Sequence, residues 1–168
     1  MTYEQWLKEN VKPPSTPVVE ANPETVAGQK VEPALTRKSM SDYREPMPEE
    51  EFNQLKAEFE SRGGEIQMDE NAIKYLDLRG AEGLTFSEDL IFLRPDPPPS
   101  RATVYEELIH AWQFRRGKMD GTQISLLKAE IVAKKLLIRY SARLGLTDAE
   151  IKDTIILLEE HERELESL

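Results

Sequence analysis

The sequence predicts an α+β fold: an N-terminal helix, a small sheet of about three strands, and then three helices. Three observations carry this. Four long segments, near 48–64, 102–117, 122–144 and 148–166, read as helices, and short apolar-rich runs lie between the first and second. Seven of the 11 prolines, at 13, 14, 17, 23, 33, 46 and 48, gather at the front of the chain.

That front segment, residues 1–47, reads as a proline-rich extended tail or linker, because sparse apolar residues without a period cannot offset the entropy of ordering. A short helix at "YEQWLKEN" would give Tyr3, Trp6 and Leu7 a small apolar face. The folded domain is expected over 48–168. Pro48 suits a first helical turn, Phe52, Leu55 and Phe59 form one stripe, and Gly63-Gly64 ends the helix. "EIQMD", "AIKYLDL" and "DLIFLRP" read as three strands, with Asp69, Asn71, Gly80 and Gly83 as turn residues between them. "RPDPPPS" is a stiff connector. Gly117 and Gly145 suit the ends of two of the later helices, and Thr147 or Asp148 suits the start of the last.

Composition narrows the function. Lys+Arg number 22 against 32 Asp+Glu in 168 residues, a net charge of −10, which disfavours nucleic acid and anionic membrane as partners. No apolar run approaches the roughly 18 residues of a membrane span. The opening "MTYEQWLKEN" lacks a basic-then-apolar leader pattern, so a soluble chain is expected. Without cysteine there is no thiol chemistry, and with only His110 and His161 as imidazoles a metal site must rely mostly on carboxylates.

The segment "TVYEELIHAWQ" carries the chemistry. On a helix, Val104, Leu108 and Ala111 form one apolar flank and Tyr105, Ile109 and Trp112 another. Between them runs a polar stripe of Glu106, His110 and Gln113. The i,i+4 spacing stacks Glu106 on His110, so the two can share one ion. Two ordinary readings stand beside this: a capping box made by Thr103 and Glu106, and a plain Glu106–His110 ion pair. On the next helix Lys128, Lys135 and Arg139 mark the solvent face. Glu130 lies nearly opposite, among Leu126, Leu127, Ala133 and Leu137, with Lys134 the only other charge near it. An acid on an apolar face needs a partner, which makes Glu130 a candidate third ligand. Arg115, Arg116 and Lys118 form a basic helix end, suited to the helix dipole or to clamping a substrate. Trp112 reads as core, and His161, in the charged "LLEEHERELESL", as a solvated surface residue.

"ATVYEELIHAWQFRRGKMDG" followed by "LLKAEIVAKKLLI" resembles the zincin-like metallopeptidase toxin domains of bacterial and phage polymorphic toxins. Those pair an H-E-x-x-H helix with a downstream ligand Glu in an E-x-x-A setting, here "EIVA", and the resemblance spans roughly 50–168. "MTYEQWLKEN" is also similar to the opening of Mu-like phage minor head proteins. The resemblance implies a zincin-like fold, with His110 and Glu130 as metal ligands and Glu107 as catalytic base. Glu106 stands where the family most often has His, which makes the site harder and more anionic. The implied cofactor is a divalent metal, Zn, with Mn or Fe as alternatives. The implied activity is that of a metal-dependent hydrolase, a peptidase-type toxin effector acting on protein or peptide. An immunity protein as partner, and delivery into a bacterial cytoplasm or association with phage, come with it. The alternative is a non-catalytic domain that keeps the scaffold and acts by binding, as a phage structural or interaction protein.

Overall fold

The computed structural model describes residues 35–37 and 45–168. The helix expected over "YEQWLKEN" and most of the proposed tail lie outside the described residues. The fold is α+β. In chain order it comprises β1 (Leu35–Arg37), α1 (Glu49–Ser61), β2 (Glu65–Gln67), α2 (Glu70–Arg79), β3 (Ala81–Ser87), β4 (Leu90–Leu93), α3 (Arg101–Arg115), α4 (Gln123–Arg139), the short α5 (Ser141–Leu144) and α6 (Asp148–Glu166). The strands make one sheet in the order β1-β3-β4-β2. β3 is antiparallel to β1 and β4, and β2 runs parallel to β4.

Two expectations need correction. "AIKYLDL" is not a strand but the body of α2. Its burial shows why: Leu76 is 0% exposed and Leu78 is 84% exposed, although a strand would put both on one face. The flanking residues are helix punctuation. Asp69 is the N-cap, accepting from the Ala72 amide at 2.9 Å, and Gly80 ends the helix at φ 62°, a left-handed conformation suited to glycine. The second correction follows from the first. The strand is "AEGLTFS", through which Gly83 runs as a ladder residue rather than a turn. A fourth strand, β1, pairs with the outer edge of β3.

Alternation along β3 and β4 divides the molecule. Leu84, Phe86 and Phe92 face α2, where they pack with Tyr75 and Leu76. Gly83, Thr85, Ile91 and Leu93 lie on the other face, and Ile91 and Leu93 join the main core with Leu55 and Phe59 of α1 and Val104, Leu108 and Ile109 of α3. Every residue of α3 from Ala102 to Ala111 is buried, so this helix is the axis of the domain. Its N-cap is Ser100, whose hydroxyl accepts from the Thr103 amide at 3.2 Å. The Ala102 amide donates to Glu150 of α6 at 3.1 Å, adding an acid at the positive helix end. The alternative reading of a Thr103–Glu106 capping box does not hold: the helix begins at Arg101, and Glu106 lies in its second turn. The segment 122–144 is two helices, α4 and α5, rather than one. Among the described residues, no helix is long and apolar enough to cross a membrane.

Candidate metal centre

Glu106 and His110 project from α3, and Glu130 from α4 meets them in the interior, where each is at most 4% exposed. His110 Nε2 stands 3.2 Å from Glu130 Oε1 and 3.7 Å from Glu106 Oε1. One donor atom from each residue lies within 4.8 Å of the other two, so this buried group can hold a metal ion. Ligands about 2.1 Å from a tetrahedral centre stand roughly 3.4 Å apart, and both histidine distances are close to that.

The surroundings orient the imidazole. His110 Nδ1 is 2.8 Å from Gln113 Oε1, and Gln113 Nε2 donates to the Ala129 carbonyl at 2.9 Å. The second bond fixes the amide, so its oxygen must face the ring and accept from Nδ1–H. Nε2 is thereby aimed at the carboxylates, the arrangement that partners of metal-binding histidines enforce. Neither His110 Nε2 nor Glu130 Oε1 makes a well-directed hydrogen bond, although both are buried. Two such atoms facing each other fit a shared ion between them.

Two residues join the centre that the sequence reading did not assign to it. Lys134, one turn beyond Glu130, is 2% exposed. Its ammonium donates to Glu106 Oε1 and, at 2.8 Å, to Glu130 Oε2. His161 is not on the surface: it is 1% exposed, with Nε2 3.8 Å from Glu130 Oε2. The signal for it was present. Thr154, Leu158, His161 and Leu165 recur at spacings of four, three and four, which puts His161 on the inner stripe of α6 despite its charged neighbours in sequence.

Charge on these groups is set by competition between burial and neighbours. Burial pushes the Glu106 and Glu130 carboxyls up, but the Lys134 ammonium and His110 outweigh it, and both sit below the ordinary carboxylate range, Glu130 well below. Burial pushes His110 down, and the charge of Glu130 and the nearby Glu106 carboxylate raise it well above its usual value. Lys134 is likewise raised against its burial by Glu106 and Glu130. Two carboxylates thus face the Lys134 ammonium and an imidazole whose protonated form they favour.

Glu107 points elsewhere. It is 0% exposed and lies between α3 and β3, where Thr85 Oγ1 is 3.0 Å from both its Oε1 and its carbonyl oxygen. A Cβ on Gly83 would stand 3.0 Å from Glu107 Cγ and 2.9 Å from Leu93 Cδ2, so the glycine lets β3 pass this close. The negative charge of Glu107 still acts on His110. Arg115, Arg116 and Lys118 are surface residues, and Trp112 packs against the core with Arg116 over its ring at 5.9 Å. No protein family matches the chain, and comparison with characterised proteins and with solved structures gives no significant match.

Proposed function

We propose that this chain is a metal-dependent hydrolase of zincin-like type, a peptidase-like toxin effector that acts on protein or peptide. Glu106, His110 and Glu130 hold one divalent ion, Zn or, given two carboxylates, Mn or Fe. The observation that carries this reading is the convergence of the three buried donors around a His110 ring locked by Gln113. A bound ion would lower the pKa of a water and polarise a carbonyl. Glu107, which lies against Thr85 in this structure, would have to turn toward that water to accept its proton as general base. The three ligands are at most 4% exposed, so little bulk solvent would screen charge interactions there.

The test pairs two readouts on Glu107→Gln: metal per chain, and metal-dependent proteolysis or growth arrest on expression in bacteria. Metal content should hold while activity falls by about 10²–10⁴-fold, as for loss of a general base. If Glu107→Gln is as active as the parent, or the parent shows no metal-dependent activity, the reading fails. A second reading, a non-catalytic binding domain on the same scaffold, draws on one observation: Lys134 already supplies a cation to Glu106 and Glu130. In that case the folded protein takes up no divalent ion, and Glu107→Gln changes nothing in function.

A further inference from the structure

The oxygen that Lys134 holds on Glu106 is Oε1, the same atom that faces His110 Nε2 at 3.7 Å. On Glu130 the ammonium takes Oε2, while Oε1 faces His110. Glu130 can therefore serve both cations at once, but Glu106 presents one oxygen to both. A metal ion about 2.0–2.2 Å from Glu106 Oε1 would share that atom with an ammonium inside a water-poor interior. Two positive groups that close repel strongly where little solvent screens them. Lys134 itself is 2% exposed, and a buried ammonium persists only with partners.

We propose that Lys134 is the resident cation of this centre, neutralising Glu106 and Glu130 in the metal-free protein, and that a divalent ion binds only by displacing its ammonium from Glu106. This rests on the metal-binding reading above. It adds a threshold: the free-ion level at which the site fills is raised by however firmly Lys134 holds Glu106. If the ammonium occupies the carboxylate about 90–99% of the time, apparent metal affinity is lowered by about 10–100-fold. The device also explains how two buried acids, Glu106 and Glu130, stay folded before any metal arrives.

Zn2+ and Mn2+ titrated calorimetrically into metal-stripped wild type, Lys134→Met and Lys134→Gln test this. Both variants should bind more tightly than wild type by about 10–100-fold, and both should be less stable than wild type in chelator. Binding equal to or weaker than wild type would overturn the proposal while leaving the metal site intact, because Lys134 would then support the ligands. Binding by the variants alone would uphold displacement and sink metal-dependent activity in the native chain. Binding by none of the three would remove both. Should neither variant fold, wild type with 15N-labelled lysine gives the answer. The Lys134 Nζ resonance should change on addition of one equivalent of Zn2+, and an unchanged resonance in Zn-saturated protein would overturn the proposal.

Discussion

Replacing Thr85 tests the anchoring of Glu107 under β3. Thr85 is 0% exposed, and its hydroxyl is 3.0 Å from the Glu107 carboxylate and from the Glu107 carbonyl, so water does not replace it. Thr85→Val keeps the shape and removes the donor. A hydrogen bond to a charged group contributes about 1.5–3 kcal/mol, and Thr85→Val should cost that much. Thr85→Ser keeps the donor and loses a methyl, which costs about 1 kcal/mol through the small gap it leaves. The valine variant should therefore be the less stable of the two. In a Glu107→Gln background the bond becomes a neutral one, and the valine penalty should shrink to about 0.5–1.5 kcal/mol. Urea unfolding of the three single variants and the Thr85→Val/Glu107→Gln double variant, with the slope checked for constancy, measures the coupling directly. Valine stability within about 0.5 kcal/mol of wild type, or serine costing more than valine, would refute the placement of Glu107 on Thr85.

Three further outcomes follow from the same geometry. Metal-free protein should be most stable between about pH 4.5 and 6.5: the depressed Glu106 and Glu130 contribute stability above 4.5 that is lost as pH falls through their folded values, and the raised His110 contributes stability below 6.5 that is lost as pH rises through its own, so a stability profile that rises steadily across this range contradicts the cluster. Because His110 is held protonated without metal and must be neutral to ligate, Zn2+ binding near neutral pH should release about one proton, seen as a binding enthalpy that varies with buffer ionisation heat; no buffer dependence would exclude His110 as a ligand. Ser100→Ala should cost about 1 kcal/mol by removing the α3 cap, in thermal unfolding, and a neutral result would mean that Glu150 alone holds that helix end.

The helices α1, α3, α4 and α6 were legible because each carries a long period and a recognisable start or stop, as with Thr147 before α6. The sheet was less so. "AIKYLDL" is apolar enough for a strand, and only tertiary burial of Leu76 against Leu84 decides for a helix. β3 hid because two of its first residues, after the glycine cap, are small or polar, and Gly83 serves close approach rather than a turn. Of the site, Glu106, His110 and Glu130 could be brought together from helix faces alone, since anomalous acids on buried stripes must converge on something. Lys134 was visible as a charge beside Glu130, but its partner depends on how α3 and α4 cross, which spacing does not give. His161 was masked by the acids and arginine around it, though its stripe was apolar.

Glu106, His110 and Glu130 together should hold one divalent ion. Equilibrium dialysis of the full chain against Zn2+ and Mn2+, followed by elemental analysis, tests it most directly. Wild type should retain about one ion per chain, and His110→Ala and Glu130→Gln should lose it while remaining folded, since one ligand of three is missing in each. Wild type that retains no ion, or variants that retain as much as wild type, would show that these three residues do not form a metal site.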